Sequence, residues 1–262
     1  MYFIDIHTHV YPDAIAQKAT DSVREFYGIG GADGMNGTVS QLRSRGAQAG
    51  TTKYVILPVA MTPNRTRSIN EFILRQTAQY DDFIGFGAVH AAMEDIGGEA
   101  KFILANGLRG VKIHPDTQGF AIDDPRLFPM YEAIEGRIPV MLHMGDHRYD
   151  YSHPIRLRRI LDQFPRLQAV GAHFGGHTMY AQACDILKDT QCILDVSSAL
   201  MIMQPGDAEK YINIYGAERM AFGTDYPLWD PVKETKRFLQ LKLTDEQFEQ
   251  IGHKTVERIL NL

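Results

Sequence analysis

His7-Thr8-His9 is the first place in this chain where residue types and spacing can do chemistry. On an extended strand, residues two apart point to the same side, separated by about 6.6 Å along the chain. Two imidazoles so placed can aim their nitrogens at one cation. The pair alone is a weak signal, and its setting is what strengthens it. Nine of the ten histidines fall at or just past the ends of short apolar runs. His7, His9, His90, His114, His143 and His173 stand at those ends, and His147, His153 and His177 lie in the segments that follow; only His253 is elsewhere. Asp225 closes one more such run, 220–224, and His143 closes Val140-Met141-Leu142. His7, His9, His143 and Asp225 supply three nitrogens and one carboxylate. With a position left for water, that set describes a catalytic rather than a structural divalent-metal site.

The elements that must position these groups alternate along the chain. Runs rich in Val, Ile and Phe are expected as strands near 3–7, 54–60, 83–89, 109–114, 138–143, 168–173, 192–197 and 220–224. Between them, helical spacing of apolar residues marks 68–80, 154–164, 207–215 and 244–260. Strand–helix alternation implies a parallel sheet, and eight strands close into a single-domain (β/α)8 TIM barrel over residues 1–262. A doubly wound open sheet competes. It needs a Gly-rich phosphate turn after the first strand, where this chain has the histidine pair. In a barrel every strand end lies on one face, the face that carries chemistry.

The first crossover, residues 10–52, is the longest. Its segment Gly28-Ile29-Gly30-Gly31-Ala32-Asp33-Gly34 matches no phosphate fingerprint and reads as a flexible connection, with a lid over the site as the sharper alternative.

A length of 262 residues suits one such barrel, and 44% hydrophobic with 23% charged residues is the balance of a globular protein. A net charge of −5 without charged blocks argues against nucleic acid or an anionic membrane as partner. Two isolated cysteines, Cys184 and Cys192, exclude a disulfide framework and fit a reducing compartment. No signal segment or membrane span is read from the sequence, so a cytoplasmic protein acting on a small molecule is expected. The aliphatic surfaces of barrel helices would suit a homodimer.

Five segments carry a family resemblance: Asp5-Ile6-His7-Thr8-His9, Gly110-Val111-Lys112-Ile113-His114-Pro115, Pro139-Val140-Met141-Leu142-His143, Ala172-His173-Phe174-Gly175-Gly176 and Phe222-Gly223-Thr224-Asp225-Tyr226-Pro227. In this order they resemble the amidohydrolase superfamily, in particular the amidohydrolase-related branch that includes aminocarboxymuconate-semialdehyde decarboxylase. The resemblance implies one metal on His7, His9, His143 and Asp225, most often zinc, with Mn²⁺ as the other candidate. It implies that His173 transfers protons beside the metal. Lys112 shares a strand face with His114. In the one-metal branch it pairs electrostatically or contacts substrate; in two-metal relatives a carboxylated lysine there bridges the ions, with His143 and His173 on the second. Asp5 is expected either to support a metal ligand or to pair inside the barrel.

The scaffold does not choose the reaction. A hydrolase of a small amide, lactone or ester is the first expectation, since bound Zn²⁺ lowers the pKa of its water to roughly 7. His173 or Asp225 then manages the proton. The alternative is a non-oxidative decarboxylase of a small unsaturated or aromatic carboxylic acid. That reaction calls for cations on the substrate carboxylate, and Arg65, Arg67 and Arg148 are the candidates. Tyr226 and Trp229 can wall an aromatic substrate, and Leu200-Met201-Ile202-Met203 an apolar one. A non-catalytic metal-binding protein and a metal-free barrel enzyme are the readings from other classes.

Overall fold

The structure, a computed structural model, describes residues 1–30 and 34–262. Nine parallel strands are formed among the described residues: β1 (Phe3–Thr8), β2 (Thr51–Ile56), β3 (Phe83–Gly85), β4 (Gly87–Ala88), β5 (Val111–Ile113), β6 (Val140–Leu142), β7 (Ala169–Gly171), β8 (Ile193–Asp195) and β9 (Met220–Ala221). They pair in the order β1-β2-β3 and β4-β5-β6-β7-β8-β9. β3 and β4 are two halves of one stave broken at Phe86. The Phe86 amide donates to Ile56 O on one side at 3.2 Å, and the Gly87 amide to Gly110 O on the other at 2.8 Å. The stave therefore hands its bonding from one neighbour to the next, and the barrel has eight staves. It closes where Ile6 donates to Phe222 O, Asp225 to His7 O and His9 to Tyr226 O, at 2.7–3.0 Å.

Glycine flanks the break because helices press on the sheet there. A Cβ on Gly85 would lie 2.7 Å from Ile73, and one on Gly87 would lie 2.5 Å from Ile103. All six residues of β1 are buried, as expected for a strand covered on both faces. Apolar side chains form two clusters. The larger joins strands to helices through residues such as Leu42, Ile73, Ile103 and Phe238. The smaller, including Ile4, Ile6, Val55, Phe86, Met141 and Val170, comes mainly from strands, with Val256 and Leu260 of the last helix against it.

Expected and observed helices agree closely: Thr66–Gln79, Pro154–Gln163 and Asp207–Tyr215. The helical pattern at 244–260 divides into Asp245–Glu249, a π turn Gln250–Lys254 and Thr255–Leu260. The wider turn leaves Ile251 O to accept from the Phe222 amide at 2.8 Å, tying the last helix to the barrel. The second strand begins and ends earlier than its apolar run, because Thr51 and Lys53 pair with Phe3 and Ile4.

The first crossover is not simply a flexible connection. It holds two helices, α1 (Asp13–Tyr27) and α2 (Val39–Gln48). α1 stops at Gly28, whose φ of 64° is the left-handed conformation glycine adopts without strain. Thr38 caps α2 by accepting from the Gln41 amide. The glycine-rich lid reading falls partly on residues 31–33, which lie outside the described residues. No helix among the described residues is long and apolar enough to cross a membrane.

Candidate metal centre

The rim is built at the ends of the staves. His7 lies within β1 and His9 just past it; His114 follows β5, His143 follows β6, His173 stands two residues past β7, Asp195 ends β8, and Asp225 follows β9. Parallel strands deliver all of them to one end, and each side chain is then oriented by its own partner.

The imidazole tautomers follow from those partners. Nδ1 of His9 faces the carbonyl of Leu57 at 2.7 Å, and Nδ1 of His173 faces the carbonyl of Ser197 at 2.9 Å. A carbonyl only accepts, so both Nδ1 atoms carry the proton and both Nε2 atoms are bare. Nδ1 of His7 stands 2.8 Å from Oδ2 of Asp195, which leaves its Nε2 bare too. The Nε2 atoms of His7 and His9 each lie 3.5 Å from Oδ1 of Asp225. Nε2 of His173 is 3.1 Å from Nδ1 of His143.

Asp225 takes a positive φ of 59°, a conformation in which Asp is enriched among non-glycine residues. Its Oδ2 accepts from Ser198 Oγ, which in turn accepts from Trp229 Nε1 at 2.8 Å. Asp195 also accepts at Oδ1 from the amides of His173 and Ser197, both at 2.9 Å. Asp5 binds the amides of His7 and Thr224 at 3.1 and 3.0 Å and the Thr224 hydroxyl at 2.6 Å. It thus fastens the first stave to the last beside two candidate ligands, and burial raises its pKa to about 7.

Burial lowers the pKa of His7, His9, His143 and His173 below 6.5, so these rings are neutral at pH 7. For Asp225, burial opposes the charge, but His7, His9 and His173, once they carry a second proton in acid, outweigh it, so the carboxyl stays ionised far below the usual carboxylate range. Asp195 is held low in the same sense, chiefly by His7.

Bare ring nitrogens grouped with an ionised carboxylate, the rings pinned from behind by carbonyl or carboxylate, form a donor set for a divalent cation. Ligand atoms of His7, His173 and Asp225 all lie within 4.8 Å of one another, and those of His114, Asp116 and His143 form a second such group. The residues present therefore fit the ion. The geometry brings His173 as near to His7 and Asp225 as a ligand would be.

These groups open into a cavity of about 590 Å³. His7, His9, His114, His143, His173 and His177 line it. α1 covers one side with Val23, Phe26 and Tyr27, and Met201, Ile202 and Trp229 complete the apolar walls. Tyr226 is fully buried and its hydroxyl donates to Thr38 O at 2.9 Å, so it is not part of this wall. Of the other rim histidines, Nδ1 of His90 accepts from the Ala92 amide, Nδ1 of His153 caps the Ile155 amide, and His147 is exposed.

The arginines expected at the substrate carboxylate are not in the cavity wall. Arg67 forks onto Glu99 at 3.0 and 2.7 Å and lies over the Phe102 ring. Arg148 forks onto Asp146 at 2.9 and 2.7 Å and donates to Phe26 O. Arg65 is exposed on the turn Pro63–Arg65. Planar carboxylates nearby satisfy the first two guanidinium forks before any substrate can. Lys112 is also outside the wall. It lies buried, with Nζ 3.4 Å from Nε2 of His7, and burial lowers its pKa to about 8.

Asp195, Ser197, Ser198 and Tyr27 belong to the site and were not expected from the sequence. Asp195 had a usable signal, a lone acid ending the apolar run Ile193-Leu194. Tyr27 had none, since it sits on a crossover helix.

A family model described as Amidohydrolase matches residues 4–262. No curated protein matches the chain. Among solved structures, it is similar to an uncharacterised TIM-barrel protein from Bordetella bronchiseptica, with 23% identity and a TM-score of 0.84, covering 100% of this chain and 99% of that one. It is also similar to 5-carboxyvanillate decarboxylase from Sphingomonas paucimobilis, with 16% identity and a TM-score of 0.76, covering 100% and 99%. A dihydroxybenzoic acid decarboxylase from a Polaromonas species, solved with manganese and the inhibitor 2-nitroresorcinol, matches at 14% identity and a TM-score of 0.76, covering 100% and 97%. At these identities the likenesses show the fold, a TIM barrel.

Proposed function

The chain belongs to the amidohydrolase family, and from that premise we propose that it is a metal-dependent, non-oxidative decarboxylase of a small aromatic or unsaturated carboxylic acid. The observation that carries this reading is the joint presence of a divalent-cation donor set and an apolar, aromatic-walled cavity directly above it. Two of the similar structures, matched over nearly their whole length, are decarboxylases of aromatic acids, and one holds manganese. That support favours decarboxylation over the hydrolysis first expected.

His7, His9, His143 and Asp225 would hold the ion, Zn²⁺ or Mn²⁺. When bound, it supplies positive charge and Lewis acidity toward an anionic oxygen group of the substrate. The remaining steps fall to the chain. Trp229, Phe26 and Met201 bury the substrate skeleton and exclude water. His173, tied at Nδ1 by the Ser197 carbonyl, can take and give a proton at Nε2 without losing its position. His173 first takes a proton at Nε2 from solvent or from an acidic O–H of the substrate, and then gives it to the carbon bearing the carboxylate. The bond to the carboxylate carbon breaks, its electron pair stays with the skeleton, and carbon dioxide leaves.

The test is a panel of aromatic and unsaturated carboxylic acids, with lactones, amides and esters, offered to Mn²⁺- and Zn²⁺-loaded protein in ¹⁸O-labelled water. Carbon dioxide from an acid, with a proton replacing the carboxylate, is expected. Label entering a cleaved acyl group, with no carbon dioxide from any acid, would restore the hydrolase.

A further inference from the structure

Tyr27 reaches the site from α1, outside every strand end. Its hydroxyl is 2.7 Å from Nε2 of His114 and 3.2 Å from Nε2 of His143. These two rings are stacked nearly parallel, 10° apart, with centroids separated by 3.9 Å. A phenol has one proton, so it donates to at most one of the two nitrogens and accepts an N–H from any it does not donate to. Tyr27 therefore requires a proton on at least one of the two Nε2 atoms.

The direction follows from His173. Its Nε2 is bare, because its Nδ1 proton goes to the Ser197 carbonyl. Nδ1 of His143 stands 3.1 Å from that bare nitrogen. This is the His143 nitrogen that faces the group of His7, His173 and Asp225, so as a ligand His143 would use Nδ1 and, being neutral, would carry its proton on Nε2. The Tyr27 oxygen is then the acceptor within reach. Oδ2 of Asp116, at 3.8 Å, is beyond a bond and already accepts from Ser152. The two lengths agree with this direction: the short contact is an O–H donated to His114, and the longer one an N–H accepted from His143. His114 completes the chain, and its own Nδ1 is buried without a partner.

We infer that Tyr27 is a positioning residue of the metal centre, accepting the Nε2–H of His143 so that the Nδ1 lone pair of that ring stays turned to the ion. The inference rests on His143 being a ligand, as proposed above. Partners that orient ligating histidines in this way are worth roughly 10–100-fold in metal affinity.

The experiment is Tyr27→Phe, which keeps the ring and removes one oxygen. Mn²⁺ and Zn²⁺ affinities are measured by competition with a chromogenic chelator, alongside circular dichroism to confirm the fold. Binding should weaken by about 10–100-fold. In the Zn²⁺-loaded protein with ¹⁵N-labelled histidine, the His143 Nε2–H signal should shift and exchange faster with water, a change that altered packing alone does not produce. Wild-type affinity together with an unaltered N–H signal overturns this inference and leaves the metal centre standing. A wild-type chain that takes up neither ion overturns both.

Discussion

Oδ2 of Asp195 stands 2.8 Å from Nδ1 of His7, and neither side chain is more than 1% exposed. The carboxylate accepts a hydrogen bond from the Nδ1–H and leaves the Nε2 lone pair facing Asp225, the tautomer a ligating imidazole needs. Asp195→Asn removes the charge that holds this arrangement. Metal affinity should fall by about 10–100-fold, read by chelator competition. Affinity indistinguishable from that of the wild type would count against the role.

The proposed ligands should behave more severely. His7→Ala, His9→Ala and Asp225→Ala each delete one donor, and metal content by elemental analysis should drop well below one ion per chain. If all three variants kept a full ion, the donor set would be wrong.

His173 divides two roles that the geometry places side by side, since its Nε2 is close to both His143 and the His7–Asp225 pair. As the proton-transfer group, His173→Ala should keep most of its metal and lose activity by on the order of 10²–10⁴-fold, followed as carbon dioxide release. Loss of the metal along with the imidazole would instead make it a ligand.

Acid should destabilise the metal-free protein. Burial lowers the pKa of His7, His9, His114, His143, His173 and His177 below 6.5. As pH falls below 6.5, the unfolded chain takes up protons at these rings and the folded chain does not. The unfolded state then binds more protons, so stability rises with pH across this window. Asp5 and Asp116, raised by burial to about 7 and about 6, act in the opposite sense, because the folded state keeps their protons longer. Six rings outweigh two carboxyls, and Tm should fall between pH 6.5 and pH 5. A Tm that is flat or rises on acidification would refute that balance.

Trp229 is the only tryptophan in the chain, and through Ser198 it is hydrogen-bonded to Asp225. Paramagnetic Mn²⁺ should quench its fluorescence with the same midpoint as metal binding. The quenching should vanish in Asp225→Ala. Quenching that persists in that variant would place the ion elsewhere.

The sequence by itself determined the staves, their order and the face that carries chemistry. That information is local: His7 and His9 share a side because extended chain alternates every residue, and Asp225 follows an apolar run that can only be a buried strand. Tertiary structure alone decided which side chains meet. Arg67 and Arg148 have the right charge and the right loops, yet Glu99 and Asp146 engage them first. Asp195 and Tyr27 became partners of His7 and His143 only when the barrel closed and α1 folded across its rim. Strand periodicity is encoded within a few residues. A hydrogen bond between distant segments depends on where every stave between them has been placed, and no local pattern records it.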